Sequence, residues 1–263
     1  MIEKVCVVGL GTVGLPTALY VSRFYDVIGY DVNPKAVEEA NISGLDATFE
    51  KMPFADVYVT AVSTGINDDN SADMSNMYDV LNKISKLNPE ALIYIESTVP
   101  LGTCRKLAEK FHLKNIVHCP HRYWSGDTVN YGVVQTRVFG ALNDRSYERG
   151  KVFYETLTIP IIEVSTIEVA EMSKVVENAY RFVQIAFAEE LKMICDSCEI
   201  PFKELRESCN TKWNIEILEA RDGIGGHCLK KDTMYLWNIL KSPILNSAIR
   251  ADGIYKTLTR RKK

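Results

Sequence analysis

The first half of the chain alternates short apolar runs with helical patterns. Val5-Cys6-Val7-Val8, Val27-Ile28-Gly29-Tyr30, Val57 to Val62, Leu92 to Ile95 and Ile116-Val117 lack polar alternation. Strands of that kind suit a parallel sheet covered on both faces. Pro34 to Ala40 and Met77 to Lys86 show helical spacing between them. Arg137-Val138-Phe139-Gly140 and Ile161-Ile162-Glu163-Val164 predict two more strands around a helix near Tyr147 to Leu157. The order predicts a doubly wound α/β domain.

The pattern changes at Ile167. From there to about Cys198 runs one helical stretch without Gly or Pro, with Val169, Met172, Val176, Ala179, Val183, Phe187, Leu191 and Ile194 among its apolar positions. A helix of this length bridges domains or forms a dimer seam. Its apolar positions exceed one narrow stripe, so pairing with a second copy is expected. Pro201 is expected to end it. The remainder reads as mainly helical, with a Gly-rich turn at Gly223 to Gly226. The expected architecture is a Rossmann-like doubly wound parallel sheet over residues 1–166, then a mainly helical domain over residues 167–263 opened by the long connecting helix.

Composition narrows the function classes. The 263 residues are 46% hydrophobic and 25% charged with net charge −3, an ordinary globular balance that gives no sign of a general nucleic-acid binder. No apolar run approaches the roughly 20 residues that span a bilayer. Met1-Ile2-Glu3-Lys4 leads straight into a strand-like run without a signal peptide's apolar core, so a cytoplasmic location is expected. The basic tail Arg260-Arg261-Lys262-Lys263 reads as a solvated terminus. Seven scattered cysteines, an odd number, favour reduced thiols. Cys195 and Cys198 lie in an apolar periodic stretch and read as helix-packed thiols, with no zinc site expected.

The first strand runs into Gly9-Leu10-Gly11-Thr12-Val13-Gly14, a G-x-G-x-x-G between strand and helix. The first glycine permits the tight turn, the second lets a pyrophosphate approach the backbone, and the third lets helix and strand pack closely. The helix N-terminus favours phosphate charge. Asp31 closes the second strand, where a carboxylate accepts from ribose hydroxyls and repels a 2′-phosphate, so NAD is expected over NADP. Arg23 and Lys35 stand close enough in sequence to complicate that preference.

A second unusual segment is Gly223-Ile224-Gly225-Gly226-His227-Cys228-Leu229-Lys230-Lys231-Asp232. Its glycines let backbone and substrate approach the Cys228 sulfur, and a thiolate beside cations is a strong nucleophile. The residues alone leave a buried structural cysteine as an equal rival. Lys174, Asn178 and Arg181, at i, i+4 and i+7, share one helix face. They suit either an oxyanion site or a solvated polar stripe.

Gly9 to Pro16 (GLGTVGLP), Glu96 to Thr103 (ESTVPLGT), Glu171 to Arg181 (EMSKVVENAYR) and Gly223 to Asp232 occur in that order. Together they resemble the UDP-glucose/GDP-mannose dehydrogenase family over nearly the whole chain. Trp213-Asn214-Ile215 and Cys119-Pro120-x-Arg122 look more like its UDP-N-acetylmannosamine or N-acetylgalactosamine branch. The resemblance implies two successive NAD-dependent oxidations of a sugar C6 alcohol to a carboxylate. It implies that Cys228 attacks the aldehyde, giving a thiohemiacetal and then a thioester that water hydrolyses. By the same resemblance, Lys174 stabilises oxyanions, Asn178 stands beside it, Asp232 handles protons and water, and Thr98 lies near the water and nicotinamide. Ser63 and Thr64 join the cofactor set. Arg122, Arg181, Gly225 and Gly226 are candidate substrate contacts.

The match departs from the family in several places. His121 stands where the family usually has a glutamate that acts as base in thioester hydrolysis; an imidazole can also serve as a base. A metal cluster of His118, Cys119, His121, His227 and Cys228 is not expected. Lys230 stands where proline is common, and the segment from Asp31 to Val57 is short, which implies a more open cofactor pocket. The family's C-terminal domain, of about 100 residues or more, which carries much of the nucleotide recognition, is not present in this sequence. Weak binding of UDP-sugars is therefore expected, unless another chain supplies the missing surface. Three functions fit: a short nucleotide-sugar dehydrogenase, half of a split enzyme with a separate nucleotide-binding subunit, and a non-catalytic NAD-binding protein.

Overall fold

The computed structural model describes residues 4–261, so the expectations for Met1-Ile2-Glu3 and Lys262-Lys263 lie outside the described residues. The chain forms two compact units: Met1–Asn67 with Ala72–Lys174, and Asp68–Ser71 with Val175–Lys263.

In the first unit the elements run β1 (Lys4–Val8), α1 (Gly14–Val21), β2 (Asp26–Tyr30), α2 (Pro34–Ile42), β3 (Ala47–Thr48), β4 (Val57–Thr60), β5 (Gly65–Ile66) and β6 (Ala72–Asp73). They continue with α3 (Ser75–Leu87), β7 (Leu92–Ile95), α4 (Thr103–Phe111), β8 (Ile116–His118), β9 (Arg137–Ala141), α5 (Asp144–Thr156) and β10 (Ile161–Glu163). The main sheet has the order β10-β9-β8-β7-β4-β1-β2-β3, while β5 and β6 form a separate hairpin. From β3 to β8 every pair is parallel, and the winding reverses between β1 and β4. That reversal is where an open α/β sheet leaves a crevice at the carboxyl ends of its strands.

The apolar strand runs are explained by two cores. Cys6, Val8, Tyr58, Ile93 and Ile95 pack under α3 and α4, while Val5, Val7, Val57, Val59 and Tyr94 pack under α1, α2 and α5. Successive residues point to opposite faces, so a strand buried on both sides carries no polar positions.

Three expectations need correction. β9 pairs antiparallel with β8, through Val117 with Ala141 and His118 with Gly140. The chain between them, residues 119–136, contains no helix to carry a parallel crossover, so it returns in the opposite sense. The run Val57 to Val62 is strand only to Thr60, because Ala61 and Val62 turn at the sheet edge against the backbone of Gly9. Finally, the long helix α6 (Ile167–Ser197) stops before Pro201. Glu199 takes a left-handed φ of 58° and the Ile200 N–H bonds the Cys195 carbonyl at 2.9 Å, a Schellman turn that satisfies the frayed end.

The second unit holds the remainder of α6 with α7 (Phe202–Cys209), α8 (Cys228–Leu240) and α9 (Pro243–Arg261). Its core joins Phe182 and Ala186 of α6 to Ile224 and to Ala248 and Ala251 of α9. Another stripe of α6 at heptad spacing, Val176, Tyr180, Phe187 and Ile194, remains exposed. Cys195 is buried and Cys198 exposed, and the described cysteines are all free thiols. No described helix is long and apolar enough to cross a membrane.

Candidate active site

Unit one presents the dinucleotide loop after β1. Gly9 has φ +89°, and a Cβ there would lie 2.8 Å from the Ala61 carbonyl oxygen. At Gly14 a Cβ would fall 1.7 Å from the Gly9 oxygen, which no side chain survives. At Gly11 nothing lies within 4 Å, so the backbone is open to an approaching phosphate. Thr12 is exposed and Val13 is half-buried at the start of α1. Asp31 follows β2; its carboxylate accepts from the Leu10 N–H at 2.7 Å and the Asn33 N–H at 2.8 Å, and it stays partly exposed. These residues fit a dinucleotide: glycines where a Cβ would collide, one bare glycine, and a carboxylate held at the edge of the loop.

The loops after β4 and β7 are tied together. Thr64 Oγ1 donates to the Thr98 carbonyl at 2.8 Å, and Ser97 Oγ donates to the Val62 carbonyl at 2.6 Å. Asn76 Nδ2 donates to Ser63 Oγ at 3.0 Å. Ser63, Thr64 and Thr98 therefore share the carboxyl edge with the glycine loop.

Behind this edge lies a buried charge network that the sequence reading missed. Glu96 accepts from Arg137 Nη1 at 2.6 Å and from the Tyr154 hydroxyl at 2.7 Å, both at Oε1. Its Oε2 lies 2.9 Å from His121 Nε2, which also meets Thr17 Oγ1 at 2.8 Å. Burial pushes the Glu96 carboxyl up, but the Arg137 guanidinium and His121 outweigh it and hold the group at about 2. Burial and Arg137 hold His121 below its ordinary value. Neighbouring His118 is driven down to about 3 and Cys119 up to about 12, both chiefly by burial. Arg137 was a visible signal: a charge inside a strand that is otherwise apolar is buried with a partner or not at all. Arg122 donates from Nη1 to the Thr136 carbonyl at 2.8 Å. Glu171 accepts from the N–H groups of Gly102 at 2.5 Å and Cys104 at 2.7 Å, capping α4; Lys174 follows one turn later, half-buried.

In unit two Cys228 is exposed at the first position of α8, which removes the buried structural reading. Gly225, Gly226 and His227 before it and Lys230 after it are exposed as well. One turn on, Asp232 is 1% exposed; Asn178 Nδ2 donates to its Oδ2 at 2.5 Å and Lys231 Nζ to its Oδ1 at 2.5 Å. The structure thus joins Asn178 and Asp232, and adds the buried Lys231, whose ammonium also lies 4.5 Å from the Tyr235 ring centroid. Arg181 is exposed.

The glycine turn itself is gripped by α9. Asp252 Oδ1 accepts from the Ile224 N–H at 2.8 Å, and Lys256 Nζ donates to the Ile224 carbonyl at 2.6 Å and to Asp252 Oδ2 at 2.7 Å. Tyr255 donates to the Arg221 carbonyl at 2.7 Å. Gly223, at φ +96°, could not carry a Cβ without striking the Lys256 chain at 2.5 Å. No group of three or more His, Cys, Asp or Glu among the described residues is placed to hold a metal ion.

Residues 43–158 match the NAD binding domain of the UDP-glucose/GDP-mannose dehydrogenase family, and residues 168–251 match its central domain. A UDP-N-acetyl-D-mannosamine dehydrogenase of Campylobacter jejuni is 31% identical over 272 residues, covering 89% of this chain and 67% of the relative. The chain belongs to the UDP-glucose/GDP-mannose dehydrogenase family. A UDP-N-acetyl-D-mannosamine dehydrogenase of Methanococcus vannielii is 32% identical over 263 residues, 89% of this family member and 61% of the relative. The chain thus spans about three fifths of that relative's length. Among solved structures, a UDP-D-ManNAc dehydrogenase from Pyrococcus horikoshii superposes with a TM-score of 0.85 at 26% identity, covering 96% of this chain and 69% of that one. The UDP-N-acetyl-mannosamine dehydrogenase of Staphylococcus aureus gives 0.82 at 28% identity, covering 96% and 68%. The NAD binding domain of this family points to NAD as the cofactor.

Proposed function

We propose that this family member oxidises the C6 primary alcohol of a nucleotide sugar, of the UDP-N-acetylhexosamine kind, to the uronic acid. The observation that carries the reading is the exposed Cys228 at the start of α8, one turn before the buried Asp232 and its partners Asn178 and Lys231, in a chain that also bears the dinucleotide loop. NAD, when bound by Gly9 to Gly14, Asp31, Ser63, Thr64 and Thr98, supplies the hydride acceptor. Cys228 Sγ adds to the aldehyde carbon to give a thiohemiacetal, loss of a second hydride to another NAD would give the thioester, and its hydrolysis releases the carboxylate and restores the thiol. Lys174 carries the positive charge suited to the developing oxyanion. Asp232, held by Asn178 and Lys231, orients water and moves its proton. Arg122, Arg181, Gly225 and Gly226 contact the sugar nucleotide.

The same reading includes a homodimer formed through the helical unit. A groove of about 610 Å³ lined by Tyr180, Phe187, Trp213 and Ile215 supports it, with Trp213 92% exposed. Exposed large apolar side chains grouped in this way mark a protein contact.

Purified protein with NAD and UDP-N-acetylmannosamine should form NADH and the uronic acid. Cys228→Ser should release no acid. NADH and acid formation indifferent to Cys228→Ser would overturn the thiol reading; NAD binding without turnover of alcohol or aldehyde would overturn the dehydrogenase reading. Turnover that begins only when a nucleotide-binding chain is added would assign the protein to a split enzyme.

A further inference from the structure

We infer that His121 is a positioning residue for the cofactor loop, acting through Thr17 of α1, and not a base that meets water or substrate. The inference rests on the dinucleotide reading of Gly9 to Gly14 and is independent of Cys228.

Thr17 is 2% exposed and sits one turn after Val13, the residue that opens α1. Its hydroxyl donates to the Val13 carbonyl at 2.9 Å, and its backbone N–H bonds the same oxygen at 3.1 Å. With its single proton so placed, the hydroxyl meets His121 Nε2, 2.8 Å away, as an acceptor. The carboxylate of Glu96 lies 2.9 Å from the same nitrogen. Two oxygens, one of them anionic, approach Nε2, so the neutral ring must carry its proton there. The Nε2 proton is given to Thr17, while Glu96 Oε2, without a hydrogen bond among the described residues, lies beside the ring as a negative charge and its Oε1 is held by Arg137 and Tyr154.

The span of this link gives it a purpose. β8, which leads to His121, is separated from β1 in the sheet by β7 and β4. The imidazole therefore crosses the carboxyl edge of two strands to brace the first turn of the helix that receives the phosphates. A turn fixed before the ligand arrives loses less conformational freedom on binding.

The test is an NADH titration followed by fluorescence. Gln places its amide nitrogen where Nε2 stands, whereas Asn places it where Nδ1 stands. His121→Leu and His121→Asn should weaken NADH by about tenfold, the loss of one hydrogen bond to the loop. His121→Gln should bind like the wild type. Thr17→Val, nearly isosteric, should weaken NADH to the same degree, and Thr17→Val with His121→Leu should be no worse than either alone. Thermal unfolding of each variant confirms that it is folded; Thr17→Val and His121→Gln decide the matter if His121→Leu is not. Unchanged NADH affinity in His121→Leu and Thr17→Val, or additive losses in the double variant, would overturn the inference. A wild type that binds no NADH would remove the loop reading first.

Discussion

Glu96 in the first unit and Glu189 in the second are both buried carboxyl groups, and they differ in company. Glu96 has a guanidinium, a phenol and an imidazole around it and is held at about 2. Glu189, 0% exposed on α6, has no hydrogen-bond partner on either oxygen among the described residues and is pushed up to about 7 by burial and then by Asp252. Glu171 falls between them: it takes backbone N–H groups but, among the described residues, no cation at hydrogen-bond distance, and burial still raises it. Burial therefore raises a carboxyl group, dipoles temper the effect, and a full cation at hydrogen-bond distance reverses it.

The largest expected effect tests the paired case. Glu96→Ala removes the counter-ion of Arg137, which is 1% exposed, and leaves a buried guanidinium without compensation. Breaking such a pair costs about 3–5 kcal/mol, readable by urea unfolding at neutral pH. The native carboxyl sits below its ordinary 4.5, so its stabilisation is complete above 4.5 and is lost as pH falls toward 2. A loss under about 1 kcal/mol would show that the network is ornamental.

The unpaired case should give the opposite slope. Glu189 folds with a raised pKa, so its contribution is complete below 4.5 and is lost as pH rises through about 7. Fewer protein atoms surround it than surround Glu96, which limits the penalty at about pH 8 to about 2 kcal/mol. Glu189→Gln should recover that amount at about pH 8 and nothing at about pH 4. Equal stability of variant and wild type at both pH values would mean that Glu189 ionises inside the fold without cost, and the comparison would collapse.

This contrast also marks what could be read before folding. The strand runs, the glycine loop and the long helix were legible because period and turn chemistry are local: alternate residues of β1 face opposite cores, and Gly9 and Gly14 sit where any Cβ collides. The antiparallel β9 was not, since nothing within Arg137 to Gly140 states its direction; the sense is set by a helix-free connection. The Glu96–Arg137–Tyr154 network was hidden by sequence separations of 41 and 58 residues, although a lone arginine in an apolar strand hinted at it. Asn178 and Asp232 were named as candidates, but their hydrogen bond across 54 residues, like the grip of α9 on Ile224, exists only in the folded chain.

The smallest effect separates the two causes of the Glu189 shift. Lys256 opposes Asp252 there, lowering what Asp252 raises, while it donates to Asp252 and to the Ile224 carbonyl. Lys256→Met should cost only about 1 kcal/mol, since Lys256 is partly exposed. It should also move the pH at which stability declines further upward, because the remaining charge of Asp252 then acts unopposed. In a Glu189→Gln background that movement should vanish, leaving only the lost hydrogen bonds to the glycine turn. A pH midpoint that stays put in Lys256→Met would mean that dehydration alone raises Glu189. The lesson of Glu96, that a neighbouring cation decides the state of a buried carboxyl group, would then fail to extend across the molecule.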